Sequence, residues 1–197
     1  MTDRLIDIHT HDLTASAPSI ISVEPGAEFI PGKRYSVGIH PYTLGSGGTP
    51  DTGRLRADAE RPEVVAIGEA GIDRLKGGLI ERQLDILRVH IEISEQLGKP
   101  LIMHVVKGFP EVVALRIEMK PRQRWIVHGF RGKPELAREL LRHGFDLSLG
   151  ERFNSRAAAM IPADRLWVET DTSPLSIAEI AARVGSCRDD GWRFGQV

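Results

Sequence analysis

Asp7-Ile8-His9-Thr10-His11 decides how the rest of the chain is read. It closes an apolar run over 5–8 that has the character of a strand. In an extended chain residues i and i+2 face the same side, so His9 and His11 project together where the strand ends. Two imidazoles on rigid backbone form half of a metal site. One His-x-His carries little weight alone. Its weight comes from ligand-type residues that recur at the ends of later strands.

Working outward, β-branched and apolar runs bounded by turn residues predict further strands over 19–23, 35–39, 64–68, 101–103, 125–127, 145–149 and 166–168. The clearest helix is 79–97, where Ile80, Leu84, Leu87, Ile91 and Leu97 recur at helical spacing before Gly98 and Pro100 stop it. Shorter helices are predicted over 55–60, 110–118, 134–143, 154–160 and 176–184. Segments 12–18 and 24–33 are too short and too rich in Pro and Gly for crossover helices. Segment 43–53, with Gly45-Ser46-Gly47-Gly48, reads as a loop; no Lys-Ser or Lys-Thr follows to make a phosphate-binding turn. Strands alternating with helices imply a parallel sheet, and eight of them imply an α/β fold of the (β/α)8 TIM-barrel type. Such barrels typically take ~250 residues. At 197 residues, one domain over 1–197 with an incomplete outer helix ring is expected.

Composition narrows the function classes. With 41% hydrophobic residues and a net charge of −1, the chain can build one substantial core but is not a basic nucleic-acid-binding domain. A weakly held DNA substrate stays open. Cys187 is the only cysteine, so no intrachain disulfide forms. Charged Asp3 and Arg4 lead straight into the first strand, unlike a signal peptide, and no apolar run reaches the ~18 residues of a membrane span. A soluble, cytoplasmic, monomeric protein is expected.

The polar residues then fall into a pattern. His9 and His11 end strand one, and His40 ends strand three. Glu69 follows strand four, His104 strand five, His128 strand six and Asp171 strand eight. All lie at C-terminal strand ends, where barrel enzymes place their chemistry. Imidazoles and carboxylates in this number can hold two divalent metals, with Glu69 bridging. Such a pair lowers the pKa of a shared water and clamps an attacked phosphorus or carbonyl centre. Lys107 and Arg131 lie just past His104 and His128; they are either substrate contacts or solvated cations, and Arg74 is a weaker candidate. Asp73 either supports the metal shell or caps a turn. Asp7, His90 and His143 are read as structural. No serine-nucleophile elbow or Walker motif is present.

The segments Asp7-Ile8-His9-Thr10-His11, Gly38-Ile39-His40-Pro41, Ile67-Gly68-Glu69-Ala70-Gly71-Ile72-Asp73, Lys99-Pro100-Leu101-Ile102-Met103-His104, Val127-His128-Gly129-Phe130 and Glu169-Thr170-Asp171 together resemble the TatD family of metal-dependent hydrolases and deoxyribonucleases. The resemblance implies that His9, His11 and Asp171 bind one metal and His104 and His128 the second, with Glu69 between them. It implies that His40 contacts the substrate phosphate and that Asp171 orients or deprotonates the attacking water. The substrate class implied is DNA, as single strands or strand ends. A small-molecule ester or amide is the alternative, for an amidase, lactonase or phosphotriesterase. The metals are Mg2+ or Mn2+, or else Zn2+. The chain departs from the family where Val105-Val106-Lys107 replaces a common Ser-Arg and where 185–197 replaces the closing helix. That tail is expected to add little to the site.

Overall fold

The computed structural model describes residues 6–15 and 18–192. Its fold class is a closed barrel of eight parallel strands in chain order. They are β1 (Asp7–Thr10), β2 (Ser19–Val23), β3 (Arg34–Val37), β4 (Val64–Asp73), β5 (Leu101–Val106), β6 (Trp125–Val127), β7 (Asp146–Leu149) and β8 (Leu166–Val168). Helices α1 (Pro41–Gly45), α2 (Thr52–Ala59), α3 (Ile80–Leu97), α4 (Phe109–Met119), α5 (Pro134–Arg142), α6 (Ser155–Met160) and α7 (Ile177–Gly185) fill the later connections. Among the described residues no helix joins β1 to β2 or β2 to β3, as the Pro- and Gly-rich connections require.

Three elements differ from expectation. β4 continues through Asp73, and β5 through Val106, so Glu69 and His104 lie inside strands and not just past them. The expected strand stops at Gly68. In the structure Gly68 and Gly71 adopt φ of 131° and 156°, and β4 carries on past a register shift between Ile67 and Ala70. At Gly68 a Cβ would run into the Ile102 carbonyl, so only glycine permits this close approach. Third, α1 forms where a loop was expected, because the His40 side chain accepts from Tyr42 N–H and Pro41 opens the helix.

The chain divides into two compact units, one of residues up to 21 with 126–197 and one of 22–125. In the first, β1 pairs with β2 and β8, and β7 pairs with β6 and β8. Ile8, Leu147, Leu149, Leu166 and Val168 are buried there. The tail is better anchored than its composition suggested. The Arg188 guanidinium donates to the Ala158 and Ile161 carbonyls at the end of α6, and Trp192 is buried. Phe194 lies outside the described residues.

In the second unit β4 pairs with β3 and β5. Tyr35, Val37, Ile67, Leu87, Ile91 and Leu101 are buried, each worth roughly 1.5–3 kcal/mol for the larger aliphatic side chains. Leu87 and Ile91 of the expected α3 stripe are fully buried; Ile80, Leu84 and Leu97 are only half-buried. Ile93 and the polar residues Gln83, His90 and Ser94 take the remaining buried positions of α3. Each polar residue is satisfied: Gln83 Oε1 accepts from Asp73 N–H at 2.7 Å, His90 Nε2 from Ile39 N–H at 2.9 Å, and Ser94 Oγ donates to the Lys99 carbonyl at 2.6 Å. α3 therefore fixes the backbone that carries His40 and Asp73.

Candidate metal centre

In the first unit the backbone itself assembles a donor triad. Asp171 forms an isolated parallel bridge with Thr10. Its N–H donates to the His9 carbonyl at 2.9 Å, and its carbonyl accepts from His11 N–H at 3.1 Å. Asp171 is thereby clipped between the two histidines, at a left-handed φ of 52° that Asp tolerates better than most residues. Its Oδ1 stands 4.0 Å from His9 Nε2 and 3.7 Å from His11 Nε2. Those separations are too long for hydrogen bonds. They suit two ligands that each sit roughly 2 Å from a shared cation. The ligand atoms of the three residues all lie within 4.8 Å of one another.

Asp7 and Thr170 brace this triad from below. Asp7 accepts from His9 N–H at 3.3 Å, Thr170 N–H at 3.0 Å and the Thr170 hydroxyl at 2.6 Å. Burial pushes the Asp7 carboxyl up to about 6, against the lowering effect of those hydrogen bonds. The structural reading of Asp7 holds. His128 packs against His9 with ring centroids 4.3 Å apart, and its Nδ1 lies 3.2 Å from Glu169 Oε1. A carboxylate only accepts, so the His128 proton sits on Nδ1 and Nε2 presents its lone pair. Burial works to raise the Glu169 carboxyl, yet the electrostatic attraction and hydrogen bond of the His128 N–H outweigh it and hold Glu169 below the usual range.

The second unit brings His40, Glu69 and His104 together, their ligand atoms again within 4.8 Å. His104 Nε2 lies 3.0 Å from Asp73 Oδ2 and Nδ1 2.7 Å from Glu69 Oε1; both carboxylates only accept, so a neutral ring can donate to one of them, and with its proton toward Asp73 the Nδ1 lone pair is left facing Glu69. Asp73 caps a turn as one expectation had it, for Oδ1 accepts from Leu75 and Lys76 N–H, each at 2.7 Å. Burial works to raise Asp73, but the bonds from His104, Lys76 and Leu75 prevail and lower it. His40 behaves differently. Its Nδ1 accepts from Tyr42 N–H at 3.0 Å, so the neutral ring carries its proton on Nε2, which donates to Glu69 Oε1 at 3.1 Å. His40 is a donor here, which fits contact with an oxyanion better than metal ligation. Glu69 Oε1 faces one proton and one lone pair at close range. A cation relieves that arrangement, so both donor sets fit divalent metals.

Lys107 follows β5 with an exposed side chain and a left-handed φ of 55°. Arg131 follows β6, also exposed. Arg74 is paired with Glu111. His90 is fully buried, as its structural reading requires, and burial lowers its pKa to about 4. Sequence reasoning missed Glu169 as the partner of His128 and Gln83 and His90 as anchors of strand-end backbone. Glu169 stood two residues from Asp171, at the same-face spacing that had paired His9 with His11; the other two had no sequence signal. It also missed Arg152, which follows β7 as Arg131 follows β6.

A parallel barrel bearing His and carboxylate clusters in or after the C-terminal halves of its strands is the build of a metal-dependent barrel hydrolase. Comparison narrows the class. The family described as TatD related DNase matches residues 16–178, and the chain belongs to this family. A metal-dependent hydrolase of Buchnera aphidicola, itself uncharacterized, is 30% identical over 161 residues, 76% of this chain and 60% of that protein. The 3'-5' ssDNA/RNA exonuclease TatD of Cronobacter turicensis is 29% identical over 167 residues, 79% of this chain and 63% of its own length. The chain thus spans about three fifths of the length of these curated relatives. The crystal structure of the TatD homologue YJJV of Escherichia coli superposes with a TM-score of 0.78 at 21% identity, over 96% of this chain and 92% of the other, which shows the shared fold.

Proposed function

We infer that this chain is a two-metal phosphodiesterase acting on single-stranded DNA or strand ends. The observation that carries the reading is the pair of clusters, the metal-donor triad His9/His11/Asp171 and the pair Glu69/His104 with His40 beside it as a proton donor. His9, His11 and Asp171 would hold one divalent ion. Glu69, His104 and, following the family resemblance, His128 would hold the second, as Mg2+, Mn2+ or Zn2+. Bound there, the ions would supply Lewis-acid stabilisation of the charge that develops on the phosphate. Asp171 accepts the proton of the attacking water. His40 donates its Nε2–H to a phosphate oxygen, with Lys107 or Arg131 as a second contact. Asp73 and Glu169 keep His104 and His128 in the tautomers that expose their lone pairs. A relative named as an ssDNA/RNA exonuclease supports a nucleic-acid substrate. No helix among the described residues is long and apolar enough to cross a membrane, which fits a cytoplasmic enzyme; a single barrel domain acting as a monomer completes the reading.

One observation favours a second reading. A cavity of about 920 Å³ beside His11 and Asp171 is lined by Asp7 and Asp12 and, among the described residues, by no Lys or Arg. It suits a small neutral group, as in a lactone or amide substrate. The test is a panel of single-stranded DNA, double-stranded DNA, RNA, a lactone and an amide, given to metal-free protein reloaded with each ion. Divalent-dependent cleavage of single-stranded DNA is expected. Opening of the lactone or amide with no nucleic acid cleaved replaces the first reading with the second.

A further inference from the structure

Two cavities adjoin Asp171 of the first triad, and among the described residues only one of them is lined by arginine. A second cavity, of about 290 Å³, is lined by Gly129 and Arg131 after β6, Gly150 and Arg152 after β7, and Asp171 and Ser173 after β8. It shares Asp171 with the larger cavity, which among the described residues has no cationic lining residue. Among the described residues neither Arg131 nor Arg152 makes an ion pair or hydrogen bond. Arg54, Arg88, Arg122 and Arg165, by contrast, are each paired with a carboxylate.

The acids lining the smaller cavity are already engaged. Glu169 takes His128 and Gly129 N–H, the latter at 2.6 Å. Glu151 accepts from the Ser173 hydroxyl at 3.1 Å, and Asp171 belongs to the donor triad. Two guanidiniums from separate loops therefore face one concavity with no counter-anion of their own. Guanidinium forks match phosphate oxygens two at a time, and these two forks stand beside Glu151, Glu169 and Asp171 without being ion-paired to them.

We propose that Arg131 and Arg152 form an anion pocket that takes a second phosphate of the substrate, adjoining the one that is cleaved. The proposal deepens the phosphodiesterase reading and rests on it for the identity of the substrate. It assigns the β6 and β7 loops to the phosphate chain and the larger, cation-free cavity to the uncharged parts of the substrate. A single phosphoester without a neighbouring phosphate would leave the pocket unused.

Binding to the metal-free chain tests this without any turnover. Titration calorimetry compares a thymidine dinucleotide bearing a 5′-phosphate with the same dinucleotide lacking it. Charge-assisted hydrogen bonds of this kind typically support a preference of about tenfold or more. That preference is expected in the parent, is lost in Arg152→Gln and is reduced in Arg131→Gln. Arg138→Gln, an exposed arginine of α5 that lines neither cavity, keeps it. Unchanged thermal melting of Arg152→Gln shows that the fold is intact; if that variant melts early, Arg152→Lys, which keeps the charge and loses the fork, is expected to bind with a preference between the two. Equal affinity for both dinucleotides in the parent, no binding of either, or a preference that survives in Arg152→Gln overturns the pocket. The two readings fail separately. Cleavage of DNA with no 5′-phosphate preference sinks only the pocket, whereas the preference without DNA cleavage sinks only the phosphodiesterase.

Discussion

Replacing His90 with leucine separates two effects of one buried side chain. Nε2 accepts from Ile39 N–H, and Nδ1 lies 2.7 Å from the Ile86 carbonyl, so the neutral ring is held with its proton on Nδ1. Leucine fills the volume but leaves Ile39 N–H buried without an acceptor, at a cost of roughly 1–3 kcal/mol. Burial lowers the folded-state pKa from 6.5 to about 4. The unfolded chain therefore takes up the proton first. Stability from this residue is intact above about 6.5 and drains away as pH falls toward about 4. Between about pH 7.5 and about pH 5 the parent should lose about 2 kcal/mol through His90. The variant has no such group and should not. Urea denaturation of both chains in EDTA, followed by circular dichroism, measures the gap between them. That gap should shrink by about 2 kcal/mol on going from about pH 7.5 to about pH 5. A gap that stays constant across this window refutes the buried, neutral assignment. Other acid-titrating groups are common to both chains and cancel.

Asp171→Asn keeps the backbone clip to His9 and His11 but removes the proton acceptor. Its rate on single-stranded DNA should fall by about 10²- to 10⁴-fold with the circular dichroism spectrum unchanged, and a rate equal to the parent's would show that another group takes the proton. Glu169→Gln leaves His128 a weaker acceptor. Metal affinity, read by competition with a chromophoric chelator, should drop about 10- to 100-fold, and unaltered affinity would make Glu169 merely a packing residue. Arg188→Ala removes the donor to the Ala158 and Ile161 carbonyls. A loss of roughly 1–3 kcal/mol lowers Tm by several degrees; an unchanged Tm would return residues 186–192 to the status of a loose tail.

The barrel was legible because its strands announce themselves. Trp125–Val127 and Leu166–Val168 match their expected bounds, and every longer strand was placed within a few residues. The largest misplacement, at the end of β4, has a definite cause. Gly68 breaks the apolar pattern in sequence, while in space it is the residue that lets β4 pass close to Ile102 and carry Glu69 inward. The donors themselves were legible as residue types at strand ends. Their division of labour was not, because it depends on which ring nitrogen is already engaged. Tyr42 N–H decides this for His40, Asp73 for His104 and Glu169 for His128. The buried polar residues of α3 were hidden for a different reason. A helix pattern is read from its apolar positions, and Gln83 and His90 occupy buried positions only because Asp73 and Ile39 satisfy them.

The most direct measurement is a count of tightly held divalent ions per chain, by equilibrium dialysis against Mn2+ or Zn2+ followed by elemental analysis. Two donor sets imply two ions in the parent and the loss of one in His11→Ala, because His11 serves only the first triad. One ion or none in the parent, or a count that His11→Ala leaves unchanged, contradicts the two-metal reading.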